Sequence, residues 1–162
     1  MSDNQRSFRI VGVLLFLFLV QIAIGPILHI RGHYANLSLT GLLVASLYGG
    51  AVQGCRLGLL MGILEASFAV RYVGSIIVTR VIAGFVIGSM EERIFRDNIA
   101  IACLTAAGGT LAAETLFFVV APQPAVIRWF TGIVVESVLN GLLGLLVFPL
   151  FHLALRKSKA YS

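Results

Sequence analysis

Six stretches of this chain are apolar almost without interruption, and charges, prolines or glycines close off each one. The first runs from Arg9 to Leu28, stopping at Gly25-Pro26 and the polar His29-Ile30-Arg31-Gly32-His33. The second spans Asn36 to Gln53, and the third, opened by Cys55-Arg56, spans Leu57 to Tyr72. The fourth covers Val73 to Met90 before Glu91-Glu92-Arg93, and the fifth Asn98 to Ala121 before Pro122-Gln123-Pro124. The sixth runs from Trp129 to Leu155 and ends in Arg156-Lys157-Ser158-Lys159. None shows the half-apolar period of a helix with one face in water. Apolar segments of about 20 residues are what a bilayer core requires. The pattern predicts an all-α integral membrane protein, a bundle of about six transmembrane helices forming one transmembrane domain over residues 1–162. The second and third runs lie near the lower limit of about 17 residues for a span, so a re-entrant pair is the alternative to two thin spans. Arg56 favours two spans, because it suits a turn on the cytoplasmic side.

Composition supports lipid as the solvent. Of the 162 residues, 59% are hydrophobic and 12% charged, and the mean hydropathy is +0.99. A soluble domain with so few charges has too little polar surface to cover itself. The net charge of +5 does not mark a nucleic-acid partner, because the basic residues sit at the ends of apolar runs and no basic stripe carries interleaved aromatics. With the N-terminus inside, the cytoplasmic segments carry Arg6, Arg9, Arg56, Arg93, Arg96, Arg156, Lys157 and Lys159, against Arg31, Arg71 and Arg128 outside. That asymmetry predicts both termini inside. Cys55 and Cys103 have no CxxC partner and fall toward the same side, which argues against a disulfide. Ala23-Ile24-Gly25 has the form of a signal-peptide cleavage site, but Pro26 would follow the cut and more spans come after it, so the first run reads as a retained helix.

Four ionisable residues interrupt the apolar runs: Glu65, Arg80, Glu114 and Glu136. A charge facing lipid costs about 2.5–3.5 kcal/mol on insertion scales, so these side chains belong inside the bundle, in a cavity or against a partner. At about 1.5 Å per residue, Glu65 and Arg80 fall at similar depth on consecutive antiparallel helices, which predicts an ion pair. Its role is a structural lock on a helical hairpin or a signal to a partner. Glu114 and Glu136 share a level nearer the outer side, with Asn140 one turn from Glu136 on the same face. Two carboxyls and an amide there suit a ligand pocket, a proton relay or hydrogen bonding between helices. Gly50, Gly54, Gly58, Gly62 and Ala66 recur every four residues, as do Gly84 and Gly88, giving flat faces that admit another helix closely. Those faces serve either packing within the bundle or docking of a separate membrane protein. His29 and His33 lack any accompanying Cys, Asp or Glu and read as an interfacial loop, not a metal site. Nothing in the chain suggests a cofactor site, a nucleophile–base pair or a phosphate-cradling loop.

These residues resemble the rod shape-determining MreD family over most of the chain, from the first helix to the basic tail. The resemblance is most specific at Asn36-Leu37 opening an aliphatic helix, and at Gly54 and Gly58 leading into Leu59-Leu60-Met61-Gly62-Ile63-Leu64-Glu65. The Val73-Gly74 turn, the helix running to Gly84 and Gly88, and Asn140 also fit. The chain departs from the family in carrying Glu65 where Asp is usual and Ala35 where Pro is common. The resemblance implies a non-enzymatic scaffold of the cell-elongation machinery in the bacterial inner membrane. It would bind the bitopic protein MreC and help connect MreB filaments with the peptidoglycan synthase formed by RodA and a class B penicillin-binding protein. It also implies a fold similar to the substrate-binding subunits of energy-coupling-factor vitamin transporters, and such a subunit is the rival reading. A subunit of that kind would use Glu114, Glu136 and the outer loops for a ligand, and would need a small-residue face on its first helix. Val11-Gly12-Val13-Leu14-Leu15-Phe16-Leu17-Phe18 is bulky on nearly every face, which disfavours that reading.

Overall fold

The computed structural model describes residues 3–25, 29–30, 33–90, 98–122 and 124–156. Among them are five helices: α1 (Asp3–Ile24), α2 (Leu37–Ala66), α3 (Val73–Ser89), α4 (Ile99–Val120) and α5 (Val126–Arg156). Between α1 and α2 the chain forms a two-residue antiparallel pair, β1 (His29–Ile30) with β2 (His33–Tyr34). Arg31, Arg93, Arg96, Lys157 and Lys159, and the side chains of His29, His33 and Arg156, lie outside the described residues.

By length and composition four helical stretches suffice to cross a bilayer, the second only when counted end to end: Gln5–Ile24, Leu37–Ala66, Ile99–Val120 and Val126–Leu155. Their outward faces leave large side chains such as Phe16, Leu104, Leu142 and Leu146 exposed, an arrangement that lipid tolerates and water does not. The protein is thus a multi-pass helical membrane protein, with five helices among the described residues, not the six expected. The difference lies in α2, which takes in the second apolar run and the third as far as Ala66.

The reason is the backbone at Gly50. Its φ of 78° and ψ of 173° break the helical path inside α2, in a region essentially reserved for glycine. In one straight helix Ser38 and Glu65 would stand about 40 Å apart, yet the Ser38 hydroxyl donates to a Glu65 carboxylate oxygen. The two arms of α2 therefore run back to back, and the reversal falls at Gly50 instead of near Arg56. Arg56 sits exposed on the second arm. The arms, about 20 and 24 Å long, are each shorter than the roughly 30 Å hydrocarbon core.

Residues 37–48 of the first arm are buried on every side, so this arm is the centre of the bundle. Its hydroxyls bond along the helix, Thr40 Oγ1 to the Asn36 carbonyl at 2.9 Å and Ser46 Oγ to the Leu42 carbonyl at 2.7 Å. The core around it joins Ile10, Leu14 and Leu17 of α1, Leu39, Leu42 and Leu43 of α2, and Val147 and Phe151 of α5. The tip of the reversal is held near the start of α1: Arg6 donates to the Tyr48 carbonyl, and Gln53 Nε2 to Ser7 Oγ at 3.2 Å.

The second arm packs on α3 with backbones nearly touching. Gly54 faces Gly84, Gly58 faces Arg80 and Val81, Gly62 faces Ile77, and Gly88 faces Gly50. A Cβ at Gly54, Gly58, Gly62, Gly84 or Gly88 would fall within 3.0 Å of backbone atoms across the contact. Aromatic side chains gather at both ends of the bundle, as at membrane–water interfaces. Tyr72 with Phe117 and Phe118 with Trp129 form one set, and Tyr48 with Phe148 and Phe151 the other.

Candidate functional site

Arg80 is the central charge. Its position on α3, in the middle of an apolar run, requires partners from the neighbouring helices. The side chain is 8% exposed. Its Nε donates to Glu65 Oε2 at 2.8 Å and its Nη1 to Glu114 Oε1 at 3.2 Å. One guanidinium thus ties the second arm of α2, α3 and α4 together. A planar guanidinium with five donors can serve two carboxylates at once, which an ammonium point charge does less well. The other Glu65 oxygen accepts from Ser38, so the clamp also reaches the first arm.

Beside the clamp lies the start of α2, buried inside the bundle. A helix begins with N–H groups that have no partner within it, and here water is too scarce to serve. Side chains from two other helices and the cap residue do so instead. Gln21 Oε1 of α1 accepts from the Leu37 N–H at 2.7 Å, and Asn140 Oδ1 of α5 accepts from the Asn36 N–H at 2.8 Å. Asn36 itself caps the helix, its Oδ1 accepting from the Leu39 N–H at 2.9 Å. Asn140, wholly buried, uses its amide nitrogen as well, donating to Thr110 Oγ1 of α4 at 3.0 Å. Thr110 in turn donates to the Ala106 carbonyl at 2.7 Å.

All five helices therefore contribute to one polar layer. Along α5 it lies about 16 Å from Trp129 and about 21 Å from Ala154, counted from Asn140. A cleft of about 290 Å³ opens into this layer, lined by Gln21, Asn36, Ile76, Arg80, Glu114, Phe117 and Glu136. Ligand pockets usually run from about 300 Å³ upward, so the cleft would take only a small molecule or a single side chain.

The structure brings Glu65 and Arg80 together as the helix depths predict. Glu114 and Glu136 both line the cleft, at the common level that the sequence suggests, and Glu114 also pairs with Arg80. That added pairing depends on rotation about the helix axes, which a depth count along the sequence does not contain. Asn140 joins the layer through Asn36 and Thr110. Gly54, Gly58 and Gly62 are covered by α3, so this face is packing within the chain and not an open dock. Sequence reasoning passed over Gln21, Ser38 and Thr110, although each is a polar residue inside an apolar run, the same signal that picked out Asn140. It also passed over Asn36 as a helix cap, which its place just before Leu37 could have revealed. No family model, curated protein or solved structure matches this chain.

Proposed function

We propose that this chain is a non-enzymatic scaffold of the bacterial cell-elongation machinery, of the MreD kind. In this reading it lies in the inner membrane with both termini cytoplasmic and holds MreC. It also links MreB filaments to the synthase of RodA and a class B penicillin-binding protein. One observation carries the reading: residues that bear the resemblance, far apart in sequence, meet where helices are joined. Asn36 bonds Asn140 across 104 positions, and Gly54 faces Gly84. Such a layer fixes the shape of the bundle and presents constant outer faces, which is what a scaffold requires. With the glycine face filled by α3, the place for MreC is an outward face of the bundle, and α1, α4 and α5 each offer one.

Photo-cross-linking side chains at Phe16, Leu104 and Leu142, each exposed on a different helix, test this in native membranes. Attachment to MreC from one of the three faces is expected. Absence of MreC from all three, together with its absence from a pull-down, would remove the reading. The cleft favours a second reading, the ligand-binding subunit of an energy-coupling-factor vitamin transporter. Transporter ATPases in the same pull-down would support it.

A further inference from the structure

Away from the polar layer, at the end of the bundle where α1 begins and α5 finishes, a second groove runs between these two helices. It encloses about 430 Å³ and is lined by Arg9, Gly12, Val13 and Phe16 of α1 and by Leu150 and Ala154 of α5. The α1 positions follow the three- and four-residue steps of one helix face, so the groove extends about 10 Å along the axis. Gly12 makes it deep: a Cβ there would meet nothing within 4 Å. Below Arg9 the groove is apolar. On the other side of Arg9 lies a hollow lined by Gln5, Ser7, Phe8 and Val11, with two neutral polar side chains and no carboxylate among the described residues. Arg9 donates one N–H to the Ala154 carbonyl at 3.0 Å. That carbonyl belongs to the last turn of α5, where carbonyls lack helical partners. A guanidinium has five N–H donors, and this is the one bond that Arg9 makes among the described residues. The helix then ends at Arg156, two residues beyond Ala154, and the sequence continues Lys157-Ser158-Lys159.

We propose that this groove binds an anionic phospholipid of the leaflet at the N-terminal end of α1. One acyl chain lies along Gly12, Val13, Phe16 and Leu150, and the phosphate accepts from Arg9. An amphiphile fits because the apolar trough and the cationic mouth are continuous, and because Arg9 is the one charged side chain that lines the groove among the described residues. A zwitterionic lipid would bring its own ammonium against Arg9 and is disfavoured. Binding here does not involve the clamp at Arg80, and it shares only the Phe16 face of α1 with the partner reading above, so the lipid measurement is read without MreC present.

The test is native mass spectrometry of the full chain released from nanodiscs, first in phosphatidylglycerol with phosphatidylcholine and then in phosphatidylcholine alone. The wild-type protein should retain one phosphatidylglycerol and discriminate against phosphatidylcholine. Arg9→Gln should weaken retention about fivefold, and Arg9→Lys should restore most of it. Gly12→Leu fills the trough from a position where a Cβ has open space and favours the helix; with its thermal unfolding in detergent matching the wild type, this variant should lose the lipid. Retention unchanged in both Arg9→Gln and Gly12→Leu would overturn the proposal. So would equal retention of the two lipids by the wild-type protein.

Discussion

Replacing Arg80 with glutamine tests whether the clamp holds the bundle together. Arg80 has two carboxylate partners, at 2.8 Å and 3.2 Å, and all three side chains are largely enclosed, with exposures of 8%, 14% and 17%. Removing one side of a buried pair costs about 3–5 kcal/mol, most of it from the charges that remain. Arg80→Gln should therefore destabilise the protein by about that amount. Glu65→Gln should cost less, because Arg80 keeps Glu114 and the amide still accepts a hydrogen bond. Combining the two should cost less than their sum, with a coupling of about 1–3 kcal/mol. The matching cycle with Glu114→Gln should give a smaller coupling, since its contact is longer and Glu65 is also fixed by Ser38. Reversible unfolding with sodium dodecyl sulfate in mixed micelles measures these differences. The single tryptophan, Trp129, stacked on Phe118, provides the fluorescence signal. Additivity within about 0.5 kcal/mol in the Glu65 cycle would refute direct pairing.

The remaining predictions concern backbone contacts and the buried start of α2. Gly54→Ala should lower stability by about 1–3 kcal/mol, because its Cβ would press on the Gly84 backbone. Gly108→Ala, with open space at the same position of the side chain, should be neutral or stabilising; thermal unfolding in detergent distinguishes the two. Gly50→Ala forces a non-glycine residue into the reversal and should cost about 1–3 kcal/mol in the same measurement. Asn140→Leu should cost about 1–3 kcal/mol by leaving the Asn36 N–H without an acceptor. Asn140→Asp, which keeps that acceptor, should recover part of the loss, read as slower hydrogen exchange at the first amides of α2. Exchange equal in the two variants would argue against the cap.

Much of the fold follows from one-dimensional pattern. Uninterrupted apolar runs demand lipid and helices, because no other backbone arrangement satisfies its polar groups within a short segment of hydrocarbon. Asn98, which opens the fifth run, is the cap of α4, and α3 starts at Val73, where the fourth run starts. The depth count along antiparallel helices was enough for Glu65 with Arg80. What the tertiary structure alone decided is direction and rotation. Gly50 and Gly54 look alike in a series of evenly spaced glycines, yet one reverses the chain and the other lets α3 approach. The choice depends on which helix lies opposite, a fact held by residues about 30 positions away. Glu114 turns toward Arg80, and Asn140 toward the start of α2, for the same reason. Hydropathy records how deep a side chain sits, and only the packed helices settle which neighbour it meets.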